Sequence, residues 1–553
     1  MIAKRTALLA GIVLLVTAVA GSAQQAKRRT DALPLTSKFP EARRLAKQAM
    51  TLDLDQVEQA KAIAILRLAV KIDPDFAMAH EFLTQISLDP AEQVSEQQKA
   101  FATRNHASAG ERLAIEWYQD AMDHKLISAI VKMNDLLRQY PHDKWVVWMT
   151  TWWLTTETQY ERSIEVYERS GIADSPGLMN NLGYSYAYLR QFDKAFALME
   201  KYVAALPSDA NPQDSYAEIL RMAGRFEQSI AHYRASLAIN PEFYSSQFGI
   251  ADTYSLMGDQ IQARKQYGIG FRKFSLPELH KIQWETRAAI TYVRQGDYDG
   301  ADRAFQAIAD YAHAKNMSQV EADTYRQMAM YQQDGKHALS LLKRADVVLR
   351  EHKNVMQAAI NQELAQILRA RVEAALKTGN KRLIRTSLER LTKLSQGSND
   401  KLIEAAYHGA AGAVAFSEGK YQDAISHLEE DINNPLSLEL LAAAYQQAGN
   451  RAEAQSTSDT LANLNDPTVE QALVVSGFRA CYQDPSCSGN IKKGEEQRPR
   501  RRSRLLLMRL RLLGARQGPN WAFGGVARSD TSRACTASCQ FIVTPFWPFT
   551  VKL

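Results

Sequence analysis

The sequence predicts an all-α solenoid, a row of antiparallel helix pairs stacked one on the next, and three observations predict it. First, the chain repeats itself every 34 residues: Leu182-Gly183, Tyr186, Ala195 and Pro207 are answered by Tyr216-Ala217, Leu220, Ser229 and Pro241. One period on lie Ile250-Ala251, Tyr254, Ala263 and Ser275, and after a four-residue insertion Ala288-Ala289, Tyr292, Ala301 and Phe305 resume the register. Second, Gly224, Gly258 and Gly296 share one position ahead of a second helix. A residue without Cβ fits there because the turn is tight or left-handed. Third, 46% of the 553 residues are apolar, enough for a long core and too many for a disordered chain. A globular chain of this length would form three or four domains, whereas a solenoid grows linearly because each repeat packs only on its neighbours.

The chain opens on Lys4 and Arg5, an apolar or small run from Ala7 to Ala20, and Gly21-Ser22-Ala23. This pattern reads as a signal peptide over residues 1–23, with cleavage before Gln24. The run is too short to span a bilayer comfortably, which needs roughly 20 apolar residues. The expected protein is exported, periplasmic or secreted, with residues 24–42 as a linker.

Helix-pair spacing then continues. Residues 43–175 hold divergent repeats, in which Ala62, Leu66, Ala69 and Pro74, and later Ala129 and Pro141, mark second helices. Residues 176–315 hold the well-matched repeats, and 316–404 are helical by pattern (Leu339, Leu342, Ala345) but off the consensus. Over 405–478, Gly412, Gly419, Ala424 and Pro435 fit one repeat and Leu441-Ala442, Tyr445, Gly449, Ala454 and Pro467 another, with Val469 to Phe478 as a capping helix. Small residues let the two helices of a pair approach, aromatics such as Tyr186, Tyr233, Tyr267 and Phe305 fill the gap to the next pair, and Pro207 and Pro241 stop the second helix.

These spacings resemble the tetratricopeptide repeat (TPR) family over about residues 43–467. The resemblance implies a right-handed superhelix of about nine helix pairs and a non-enzymatic scaffold that binds proteins or peptides on its concave face. By the family's register, the exposed inner positions are Asn180, Tyr184, Tyr188, Asp214, Glu218, Arg221, Phe248, Asp252 and Arg287. The Lys/Asn pattern with which some members clamp a C-terminal carboxylate is missing. With Asp214, Glu218 and Asp252 clustered, the groove is expected to prefer a basic or polar peptide; the alternative is a solvated inner face without ligand. A looser similarity, from Glu111-Arg112-Leu113-Ala114-Ile115-Glu116 through Tyr140-Pro141, is to repeat regions that follow kinase or DNA-binding domains in bacterial regulators. It implies a bacterial origin and a second reading, a regulatory partner of a signalling kinase. Kinase activity itself is not carried over, since the phosphate loop and catalytic-loop motifs are absent.

No cofactor, metal or catalytic residue is expected. The eleven His form no paired-ligand spacing, and His80 and His408 read as packed or solvated side chains without visible partners. GxSxG and GxxxxGK[ST] motifs are absent, and Gly268-Ile269-Gly270 falls inside a second helix. A hydrolase assembled across repeats is the third and weakest reading. Trp145, Trp148, Trp152 and Trp153, with Val146, Val147, Met149 and Leu154, make a helix apolar on nearly all sides. Such a helix is buried or forms a hydrophobic groove, and burial is the expectation.

Charge separates body from tail. Residues 498–553 carry ten Arg and one Lys against Asp530, a net of +10; removing that and the +2 of Lys4 and Arg5 from the chain's +6 leaves −6 for the body. A mildly acidic body excludes a nucleic-acid footprint there. The basic tail, residues 479–553, reads as disordered, and its Arg500 to Leu513 stretch is a candidate for weak contact with a membrane surface. All four Cys lie late, and in an oxidising compartment Cys481 and Cys487 are expected to pair.

Overall fold

The computed structural model describes residues 32–482 except 57, 88, 124, 173–174, 352–356 and 399. Twenty-five α-helices follow one another, and no strand occurs among the described residues. The first eight are α1 (Pro40–Gln56), α2 (Gln59–Ile72), α3 (Ala77–Ile86), α4 (Pro90–Thr103), α5 (Ala109–Met122), α6 (Leu126–Gln139), α7 (Lys144–Thr156) and α8 (Tyr160–Ser170). The well-matched repeats supply α9 (Pro176–Tyr188), α10 (Phe192–Ala205), α11 (Ala210–Met222), α12 (Phe226–Ile239), α13 (Tyr244–Met257), α14 (Gln260–Lys273), α15 (Glu278–Gln295) and α16 (Tyr298–Ala314). Then come α17 (Ser318–Tyr331), α18 (Gly335–Arg350), α19 (Gln357–Thr378), α20 (Lys381–Gln396), α21 (Lys401–Ser417), α22 (Tyr421–Leu428), α23 (Pro435–Ala448), α24 (Arg451–Ala462) and the single α25 (Val469–Tyr482). The chain is thus an all-α helical repeat array, with twelve pairs among the described residues rather than about nine, because α17 to α20 and the divergent N-terminal residues pair as regularly as the consensus repeats do.

From α7 to α15 and from α17 to α23, odd-numbered helices touch the odd-numbered helix of the next pair and form the inner layer, with the even-numbered helices outside them. Gly224, Gly258 and Gly296 take φ of 77°, 98° and 78°, the left-handed turn that their shared position requires. A different need explains Gly249: a Cβ there would sit 2.3 Å from the ring of Tyr233, so the residue marks the closest approach of α12 and α13.

Two features depart from the sequence reading. The segment before α1 docks rather than dangles: the Leu33 N–H donates to Asp143 Oδ2 at 2.7 Å and the Thr36 N–H to Glu111 Oε1 at 2.7 Å. The helix expected only to cap the last pair, α25, runs on to Tyr482 and returns along the inside of the array, packing on α15 and α17 as well as α23 and α24. Its Val469 and Ala472 join the core of α15 to α19, and its Val474 and Val475 join Leu438, Leu461 and Leu464. The apolar content that suggested a cap therefore serves two walls at once. Cys487, and with it the Cys481–Cys487 pairing, lies outside the described residues, as do the leader and the basic tail.

Candidate functional site

The 34-residue period lays equivalent side chains of successive inner helices into rows. Tyr184, Glu218 and Asp252 form one row; Asn180, Asp214 and Phe248 form another. The structure gives the two rows different fates. Asn180, Asp214 and Phe248 are buried between helices rather than exposed on the inner face. Asp214 accepts from Ser246 Oγ at 2.7 Å, and Phe248 stacks on Trp284 with ring centroids 4.8 Å apart and planes 7° from parallel. These three expected contact positions are consumed by repeat-to-repeat packing.

The other row builds a charged ladder. Tyr184 Oη donates to Glu218 Oε2 at 2.8 Å, and Arg221 holds Glu218 Oε1 at 2.7 Å and Asp252 Oδ2 at 3.0 Å. Arg287 and Tyr267 also donate to Asp252, which is wholly buried. Four repeats are clamped together in this way. The expected acidity is corrected as well: Asp214 and Asp252 are wholly buried, and Glu218 is held by Tyr184 and Arg221, so the three do not form an open negative surface. Burial first, and then the nearby Glu218 carboxylate, pushes the Tyr184 hydroxyl well above the usual tyrosine range, so it stays a donor.

A cavity of about 200 Å³ opens beside the ladder, on the inner side of the array. Of the nine expected residues, Tyr184, Tyr188, Glu218, Arg221 and Arg287 line it. Across from them stand His280 and Gln283 of α15, Asp323, Arg326 and Gln327 of α17, and Asn433 and Asn434 ahead of α23. Leu464 to Glu470, the approach to α25, closes the remaining side. That approach is tied down at both ends. Arg190 donates to Asn463 O at 3.4 Å, Asn465 Nδ2 to Met222 O at 3.1 Å, and Arg294 to Gln471 Oε1.

A second buried charge group sits on the far wall. Arg326 Nε donates to Glu363 Oε1 at 2.8 Å, its Nη2 reaches Asp323, and Gln327 Nε2 donates to the other Asp323 oxygen at 2.6 Å. One guanidinium here serves two carboxylates. Burial pushes the Glu363 carboxyl up, against the pull of Arg326. Asp466 and Glu470 are raised in the same direction by burial, opposed in part by Arg221 and Arg326 respectively.

Sequence reasoning missed the far wall entirely. Nor did it place the closing segment, whose only signal was the stretch Asn463 to Thr468 ahead of an apolar helix, which reads equally well as an ordinary loop. It also missed two histidine contacts: His80 Nδ1 lies 2.5 Å from Glu96 Oε2, and His408 Nδ1 lies 3.0 Å from His427 Nδ1. Both involve partners on the facing helix of the same pair, at separations that no local motif records. Among the described residues no three His, Cys, Asp or Glu converge as metal ligands, and no helix is long and apolar enough to cross a membrane.

No protein-family model and no curated protein matches the sequence. Among solved structures, the chain is similar to PilW, a widely conserved type IV pilus biogenesis factor, at 14% identity and TM-score 0.30 over 41% of this chain and 96% of that one. It is similar to a tetratricopeptide repeat protein from Parabacteroides merdae at 15% identity and TM-score 0.27, over 54% of this chain and 97% of that one. The Cut9–Hcn1 hetero-tetramer of the APC/C aligns at 14% identity and TM-score 0.37, over 79% and 82%.

Proposed function

We propose that this chain is a non-enzymatic scaffold that holds a protein or peptide partner on the inner face of its helical array. The observation that carries the reading is convergence: inner helices of several pairs and the returning C-terminal segment bring polar and aromatic side chains to one cavity. Each wall is fixed by contacts to the next repeat, so the surface is preorganised and little freedom remains to be lost on binding. Tyr184, Tyr188 and Arg221 are of the residue types that dominate binding hot spots.

The test immobilises the full chain and challenges it with an envelope fraction, the compartment that the N-terminal sequence points to, with mass spectrometry of what is retained. The scaffold reading expects a partner that binds saturably and is lost from a Tyr188→Ala, Arg287→Ala variant. Retention of the same proteins by the variant, or of none by either chain, contradicts it.

A further inference from the structure

The three arginines of the cavity are already engaged by Glu218, Asp252, Asp323 and Glu363. Asp466, in the segment ahead of α25, and Glu470, in its first turn, add two more carboxylates on the fourth wall, and no side-chain hydrogen bond or ion pair of the described protein reaches either. Glu470 is 9% exposed, and Asp466 is half-buried and opens onto the cavity. Neither acid is needed to cap α25, because Thr468 Oγ1 accepts from the Gln471 N–H at 3.2 Å. Lining the same cavity ahead of α23, Asn433 is 7% exposed and its amide nitrogen has no acceptor. Buried polar groups are normally satisfied, and unpaired buried charge is expensive. Here the unmet demand has a definite sign: a cation for two carboxylates and an acceptor for one amide.

We infer that the inner cavity is a binding site for an ammonium or guanidinium group carried beside a hydrogen-bond acceptor, held by Asp466, Glu470 and Asn433. A lysine or arginine side chain with its peptide carbonyl has this chemistry, and so does a free diamine or guanidino compound. The cavity, at about 200 Å³, takes one such group and not a folded element. This inference is separable from the scaffold reading, because it is tested with small probes on the purified full chain.

Calorimetric titration compares agmatine, a capped Ala-Arg-Ala tripeptide, and a capped Ala-citrulline-Ala tripeptide of matching shape without charge. Saturable binding of the arginine peptide alone places the cation on a peptide, and binding of agmatine as well places recognition in the cation itself; either supports the inference. The citrulline peptide binds at least about tenfold more weakly, the loss of one charged hydrogen bond. Asp466→Asn with Glu470→Gln abolishes binding and raises the ligand-free melting midpoint, since neutral amides of the same size remove unpaired charge. Asn433→Leu weakens binding while leaving both acids in place, and it serves as the readout if the double variant does not fold. Absence of saturable binding by the unmodified chain, or equal binding of the citrulline peptide, overturns the inference. So does a double variant that folds but melts lower while binding as before.

Discussion

The N-terminal and central helix pairs bury the same element, the inner helix, by opposite means. In α7 every side chain from Trp145 to Thr155 is buried, and the four tryptophans join one apolar core with α1 to α6. Trp153 meets Trp117 edge-on at 5.9 Å and Trp145 meets Phe82 at 5.1 Å. Two and three pairs later, α11 and α13 bury Arg221 and Asp252 at the equivalent layer, and the apolar clusters around them are small. An apolar inner helix seals the array; a charged one specifies which repeat follows and leaves room for a wet cavity. Charge pairing of this kind adds less net stability than apolar packing, since desolvation offsets most of the Coulomb gain. Its value lies in position and selectivity.

Substitutions rank the two solutions. Trp153→Ala removes a large ring from a closed core and is expected to cost about 4 kcal/mol. Repeats couple mainly to neighbours, so chemical denaturation followed by tryptophan fluorescence should show the N-terminal pairs melting apart from the rest. Arg221→Met leaves Asp252 with Tyr267 and a single arginine, Arg287, and takes Arg221 away from Glu218, for a loss of about 3 kcal/mol by the same measurement. If instead Arg221→Met were neutral, the ladder would be decoration on an array held by its apolar contacts.

The N-terminal block also carries its own pH dependence. Glu81 is buried with only Gln85 as a side-chain donor, and burial pushes its carboxyl from 4.5 up to about 8. A raised carboxyl holds its proton in the folded state after the unfolded chain has released it. Its contribution to stability is therefore complete below pH 4.5 and is lost as pH rises towards 8. Glu81→Gln should flatten that fall, recovering roughly 2 kcal/mol at pH 8.5, with little effect at pH 4. Thermal melts at the two pH values check it. The smallest effect is expected at the shared turn: Gly258, at φ 98°, replaced by Ala loses about 1 kcal/mol, whereas Gly268→Ala, inside α14, is tolerated or stabilising.

What the sequence disclosed follows the same division. Helix pairs, glycine turns and the buried tryptophan helix were legible because they depend on residues within one or two repeats. Tyr184, Tyr188, Glu218, Arg221 and Arg287 were picked out by register, and the cavity gathers them. Asn180, Asp214 and Phe248 were not distinguishable from them, because a polar or aromatic residue on an inner helix serves pairing or binding with the same side chain. The return of residues 463–482 into the array was illegible for another reason. It depends on the accumulated rotation of many pairs, which brings Asn465 to Met222 across 243 positions, and no local pattern records that sum.

The account turns on that return, since residues 464–470 are the wall that closes the cavity. Amide hydrogen exchange of the full chain, read by mass spectrometry over Val469 to Arg479, tests it most directly. The docked helix predicts protection comparable to that of α15 and α17, on which it packs. Exchange of those amides at the rate of a free peptide, while α15 and α17 stay protected, would mean that α25 is undocked and the inner cavity has no fourth wall.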